Sequence, residues 1–182
     1  MSEDLAALEA RTRALLASDR VTAPTRKALE ARLETCADGP RALEPRQVAT
    51  LAAVSADLLP LGPLSHRLEL ARRFDAQLAS GPGDGWRYAD APPDAEGMRA
   101  GLDALDRAAA PSVFPDLPAE RRQGLLAAAR EGGLEGVPAR WFEDALAGLT
   151  RLAYAHPLVQ VAIGYDGMAD AHGFQDLDAP PR

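Results

Sequence analysis

Residues 141–182 read WFEDALAGLTRLAYAHPLVQVAIGYDGMADAHGFQDLDAPPR, and this stretch says most about the fold. From about residue 138 to 155 its apolar positions follow the three-and-four spacing of one helix face, namely Phe142, Ala145, Leu146, Leu149, Leu152 and Ala153. His156-Pro157 predicts the end of that helix, and an irregular chain broken by Pro and Gly is expected beyond it. Five of the nine aromatic residues lie here, so the stretch must pack against this domain or against another protein.

The composition favours an all-α fold. Of the 182 residues 47% are apolar and only 5% aromatic, Ala and Leu dominate, and β-branched residues are scarce. A net charge of -7 argues against nucleic-acid binding, because phosphate contacts need a basic face. The single cysteine, Cys36, excludes an internal disulfide and a cysteine-based zinc site, and it is predicted to be a buried thiol on a helix.

Apolar spacing and breaker residues predict a compact bundle of about seven helices and no strand. The predicted helices cover about residues 4–17, 22–36, 44–59, 64–78, 98–109, 117–132 and 138–155. Residues 80–93, SGPGDGWRYADAPP, predict one long loop that carries Trp86 and Tyr88. Such a loop is commonly functional, although the two aromatic rings could also cover this domain's own core.

Sequence motifs of catalysis are not found. The glycines of GPGDG precede an aromatic loop rather than a helix that follows a strand, and there is no CxxCH for covalent haem. One set resembles a metal site: His156, Asp166, Asp170 and His172. Pro and Gly interrupt the set, so the preferred interpretation is a histidine at a helix end and solvated aspartates. The pair Asp103/Asp106 is predicted to be a solvated helix face.

Several motifs follow one another in a recognisable order. They are TLAAVSADLLP over 50–60, MRAGLDALDRAA over 98–109, VFPDLPAERRQGLLAA over 113–128, a helix that begins with Trp141-Phe142, the break at Tyr154-Ala155-His156-Pro157, and IGYDG over 163–167. In this order they resemble the gluconate 2-dehydrogenase subunit 3 family, the small subunit of membrane-associated sugar dehydrogenases. The resemblance covers roughly 130 residues of the chain.

The resemblance implies a non-catalytic small subunit that binds and stabilises a large FAD-dependent oxidoreductase of the glucose-methanol-choline (GMC) class. The large subunit would oxidise a sugar, glycoside or other alcohol and hold the FAD, with no cofactor in this chain, and a cytochrome subunit would be a further partner. Many relatives carry a twin-arginine signal, which is not found in this sequence, and no apolar run approaches the ~18 residues of a membrane span. We therefore expect a cytoplasmic chain, periplasmic only if a partner with a signal exports it.

The expected organisation is one helical domain over 1–182, with an N-terminal helical extension (1–42), a family-like core (43–156) and an irregular partner-docking tail (157–182). Contacts with a partner concentrate in aromatic anchors. The predicted partner-binding residues are Trp86, Tyr88, Tyr154, His156, Ile163, Tyr165 and Phe174. We expect the tail to become ordered mainly on the partner; the alternative is that it folds back on its own chain. Two other functions remain open, a free-standing metal-dependent enzyme using His156 and His172, and a general helical adaptor.

Overall fold

The computed structural model describes residues 4–36, 38, 41–80, 92–138 and 140–165. The helices are α1 (Leu5–Ala17), α2 (Ala23–Leu33), α3 (Pro45–Leu58), α4 (Leu64–Arg67), α5 (Leu70–Ser80), α6 (Asp94–Ala108), α7 (Ala119–Arg130), α8 (Trp141–Tyr154) and α9 (Pro157–Ala162), with a 3-10 turn at Phe114–Asp116. Over the described residues the regular structure is entirely helical, which confirms the predicted all-α fold.

Contacts divide the chain into two compact units. A central unit comprises Cys36–Leu152, and a terminal unit combines Met1–Thr35 with Ala153–Arg182. The helices predicted as an N-terminal extension therefore share a unit with the C-terminal residues. The single domain inferred from the sequence stays a prediction.

The central unit is organised around α3, which packs against α5, α6, α7 and the 3-10 turn. Its apolar stripe is fully buried at Leu51 and Val54. Pro45 occupies the first turn, where its missing N–H costs nothing, and Gln47 Oε1 accepts the Glu44 N–H at 3.0 Å. The start of α3 is thus encoded locally.

Buried carboxylates fix both ends of α3. Asp75 on α5 is 1% exposed, and its Oδ1 accepts the N–H groups of Ala42 and Leu43, each at 2.8 Å. At the other end, Arg122 of α7 forms a bidentate salt bridge with Asp57. Its Nε–H donates to Asp57 Oδ2 at 2.7 Å, and its Nη2–H donates to Oδ1 at 2.9 Å. This bond raises the pKa of Arg122, although burial of the guanidinium opposes the rise.

Two glycines allow α8 to approach its neighbours closely. A Cβ at Gly101 of α6 would come closer than 3.0 Å to the Trp141 indole, and one at Gly148 of α8 would meet the Phe74 ring of α5. Trp141 also donates its Nε1–H to the Met98 carbonyl at 3.3 Å. These positions need glycine because of the rings packed upon them.

The helix predicted over 64–78 is wrong in one respect, because it is two helices. The chain bends at Glu69, whose φ is 47°, in the left-handed region that side chains rarely adopt. The Glu69 carboxylate accepts the Cys36 N–H at 2.8 Å and a bond from Arg72 at 2.7 Å. Cys36 is therefore half-buried in the segment after α2, not on the helix where the sequence placed it.

The terminal unit joins α1, α2 and α9. Arg26 of α2 donates to the carbonyls of Leu16, Ser18 and Val21, which holds the turn between α1 and α2. Arg32 reaches the Ala155 carbonyl at 2.8 Å, just before α9.

The prediction of an irregular tail from residue 157 is wrong for its first six residues, which form α9. Leu158, Val159 and Val161 are buried, and α9 packs on α1 and α2. This part of the tail is therefore ordered by its own chain, although on the N-terminal helices rather than on the predicted seventh helix. Residues 166–182 lie outside the described part of the chain.

We expect Gly101→Ala to lower the free energy of unfolding by about 1–3 kcal/mol, because the added methyl group forces the Trp141 indole out of place. Gly124→Ala on α7 is the matched control, since a Cβ there meets no atom of the described part of the chain within 4 Å. That change should stabilise the protein by about 0.5–1 kcal/mol through helix propensity. Urea unfolding of both variants measures the difference; equal effects would contradict the packing argument.

Glu69 predicts a specific dependence of stability on pH. Its burial raises its pKa, but the Cys36 N–H and Arg72 outweigh that effect, so the pKa lies below the usual 4.5. A lowered folded-state pKa gives stability that is fully present above the unfolded value and lost as the pH falls through the folded value. Glu69→Gln should therefore destabilise at neutral pH, and the difference from wild type should shrink below pH 4.5.

Urea unfolding over that pH range measures the Glu69 effect. Glu30→Gln, which removes an exposed carboxylate from α2, controls for the change of one charge. A Glu69→Gln deficit that stayed constant into acid would show that the carboxylate contributes by shape alone.

Candidate functional site

Three large apolar side chains within residues 154–165 of the terminal unit are exposed. Tyr154 ends α8 and is 48% exposed, while Ile163 and Tyr165 follow α9 and are 55% and 46% exposed. All three belong to the residues predicted to bind a partner. We call them the C-terminal aromatic surface.

One residue connects the parts of this surface. Gln160 of α9 donates its Nε2–H to the Tyr154 carbonyl at 3.1 Å, and its own backbone carbonyl accepts the Tyr165 N–H at 2.8 Å. The backbones of both tyrosines are thus bonded to the same residue. Their side chains are presented by a fixed backbone, which lowers the entropy lost when a partner covers them.

The IGYDG motif has a local structural cause in its first three residues. Gly164 has a φ of 76°, its N–H bonds to the Val161 carbonyl at 3.1 Å, and the Tyr165 N–H bonds to the carbonyl of Gln160. This pair of bonds is the Schellman motif that ends helices at a left-handed glycine. The motif turns the chain between Ile163 and Tyr165, and both side chains remain exposed.

His156 occupies a different place from the other predicted contacts. It is 2% exposed and caps α9, with Nδ1 accepting the Leu158 N–H at 3.3 Å. Pro157 then fills the first helical position. Contrary to the prediction of a contact residue, His156 lies inside its own unit and positions α9.

The remaining predicted site residues cannot be placed. Trp86, Tyr88 and Phe174 lie outside the described residues, as do Asp166, Asp170 and His172 of the metal-like set. Among the residues that are described, no three His, Cys, Asp or Glu side chains are grouped as metal ligands. The metal-dependent enzyme therefore gains no support from the described part, and it stays a prediction.

Sequence reasoning missed a cleft in the central unit. Its volume is about 380 Å³, and α3, α6 and the segment around the 3-10 turn line it. Asp103 and Asp106, predicted to be a solvated pair, lie on its α6 wall and bond to α3 side chains instead. The spacing of Asp103 and Asp106 had indicated that they share one face of a helix. Nothing in the sequence indicated that α3 packs against this face.

The chain matches a known protein family. The sequence pattern described as "Gluconate 2-dehydrogenase subunit 3" matches residues 45–169, more than half of the chain. The matched range contains the cleft and the C-terminal aromatic surface. No curated protein and no solved structure matched. None of the described helices is both long and apolar enough to cross a membrane.

Gly164→Ala should weaken the end of α9, because a left-handed φ costs a side-chain-bearing residue about 1–2 kcal/mol. Among the described residues beyond its two chain neighbours, no atom lies within 4 Å of the added Cβ, so the effect comes from the backbone alone. We expect faster hydrogen exchange at the Tyr165 amide, measured by NMR. Gly164→Asn should show less of this effect, since Asn tolerates the left-handed region; unchanged exchange in Gly164→Ala would contradict the role of the glycine.

Proposed function

The chain belongs to the gluconate 2-dehydrogenase subunit 3 family, a family of small subunits of dehydrogenase complexes, and from this premise we propose that it binds and stabilises a large GMC-type flavoprotein. The large subunit holds the FAD and oxidises a sugar, glycoside or other alcohol. This chain contributes binding rather than chemistry. The family match supports the role of a small subunit, and the order of the sequence motifs supports the GMC-type partner.

The observation that carries the proposal is the C-terminal aromatic surface. Tyr154, Ile163 and Tyr165 leave about half of each side chain in water. Full coverage of a large apolar side chain is worth roughly 1.5–3 kcal/mol, and interfaces concentrate their energy in such rigid aromatic anchors. Three anchors on one short segment are a reason to infer a partner, since a single exposed apolar residue needs no explanation.

The polar side chains of the central unit support a binding role. Asp75 holds the entry to α3, Asp57 holds α7, and Asp106 holds the 3-10 turn, so each carboxylate is bonded within the fold. These three carboxylates therefore hold the helices of the central unit in fixed positions. A rigid scaffold that binds only the folded large subunit stabilises it by mass action, which is the physical content of a chaperone-like role.

A cytochrome subunit that accepts the electrons belongs to the same proposal as a further partner. The cytoplasmic location inferred from the sequence, or a periplasmic one reached with an exported partner, stays a prediction.

We expect Tyr165→Ser and Tyr154→Ser each to raise the Kd for the flavoprotein about tenfold or more, because each removes an apolar anchor. The measurement uses the GMC-type flavoprotein encoded nearest to this chain, purified with its FAD and titrated with each variant by calorimetry. Thermal unfolding of the isolated variants should match wild type, since both side chains are half exposed.

Lys27→Ser, an exposed change on α2 of the same unit, serves as the matched control and should bind like wild type. Co-expression adds a second readout: the yield of FAD-loaded flavoprotein should fall without this chain and with the Tyr165→Ser variant. Equal yields in all cases, with no complex on gel filtration, would refute the proposed function.

A further inference from the structure

Charged residues of α3 and α6 line the cleft of the central unit. Arg46 and Thr50 of α3 face Asp103, Asp106 and Arg107 of α6, and Val113 stands at the rim with 49% of its surface exposed. Two cations and two carboxylates line the same opening. The bonds among them decide which charge remains for a ligand.

Both carboxylates already have partners. Asp103 Oδ1 accepts from Arg46 Nη2 at 2.8 Å and from Gln47 Nε2 at 2.9 Å. Asp106 accepts from the Thr50 hydroxyl at 3.0 Å and from the Phe114 N–H at 3.1 Å. These bonds tie α6 to α3 and to the 3-10 turn. Arg46 pairs with the charge of Asp103, whereas the donors to Asp106 are neutral groups.

Of the two arginines that line the cleft, Arg107 is the one whose charge is not paired with Asp103. No hydrogen bond or ion pair engages its guanidinium among the residues that the structure describes. Its Nη2 lies against Gly136, where a Cβ would come within 2.7 Å, and the φ of Gly136 is 78°. The glycine thus makes room for the guanidinium beside the cleft, and any larger residue would displace it.

We propose that Arg107 and Val113 form a second contact site for the large subunit, one that takes a carboxylate side chain flanked by an apolar residue. A planar carboxylate matches the guanidinium fork with two parallel bonds, and the apolar neighbour covers Val113. The nearby carboxylates Asp103 and Asp106 would repel a phosphate dianion more strongly than a single carboxylate. This inference rests on the proposed function, and it adds a charged contact to the aromatic one.

The test is a binding titration with the FAD-loaded large subunit and three arginine variants. Arg107→Glu should raise the Kd at least about tenfold, because it sets two carboxylates against each other. Arg107→Lys should lie between it and wild type, since an ammonium keeps the charge but not the fork. Arg121→Glu on α7 makes the same charge change at an exposed arginine that does not line the cleft, and should bind nearly as wild type does.

Val113→Glu gives a readout that leaves Arg107 in place. The new carboxylate would line the same cleft as the Arg107 guanidinium and compete with the partner's carboxylate for it, so the Kd should rise by a similar factor. The excess effect of Arg107→Glu over Arg121→Glu should shrink at high salt, because the contact lies at the edge of an open cleft. Unchanged thermal unfolding shows that each variant is folded, and Val113→Glu replaces Arg107→Glu if the latter is not.

The outcomes separate this inference from the proposed function. If Tyr165→Ser weakens the complex while Arg107→Glu and Val113→Glu bind like Arg121→Glu, the cleft contact is refuted and the aromatic contact stands. If wild type forms no complex, both are refuted. A loss of affinity in the two cleft variants alone would support the cleft and refute the aromatic surface.

Discussion

The burial of α3 is the constraint on which the central unit depends. Its apolar face at Leu51 and Val54 is covered by several other elements, so their positions follow from its own. Apolar burial has no direction, however, and does not by itself fix where a helix begins or how its neighbours rotate. Here the direction comes from charged and polar side chains. Asp75 bonds to the entry of α3, and Asp57 bonds to Arg122 at its exit. Asp103 and Asp106 bond to α3 side chains and so tie α3 to α6.

The long helices could be predicted because their apolar spacing is regular and because Pro or Gly marks most of their ends. The bend at Glu69 has no such mark: the left-handed residue is a glutamate, and it is held by Cys36, which lies far away in the sequence. Helix α9 is six residues long, too short for a period to show. Its burial depends on α1 and α2, and no local pattern records that partner.

The candidate site could be predicted in part for the same reasons. Tyr154, Ile163 and Tyr165 were predicted to bind a partner, and each is about half exposed in the structure. His156 was predicted to contact a partner, but it is buried and caps α9 just before Pro157. The cleft was not predicted because it depends on bonds between α3 and α6. The apolar pattern of a single helix carries no information on such bonds.

The terminal unit has a consequence for the order in which the protein is made. Its two parts, Met1–Thr35 and Ala153–Arg182, are separated by the whole central unit, so α1 and α2 leave the ribosome long before α9 exists to cover them. Domains generally begin to fold as they are synthesised. The central unit can start in that way, whereas the terminal unit must wait until α9 has been made. The C-terminal aromatic surface spans the end of α8 and the residues after α9, so a partner that needs all three of its side chains would bind only chains that extend past α9.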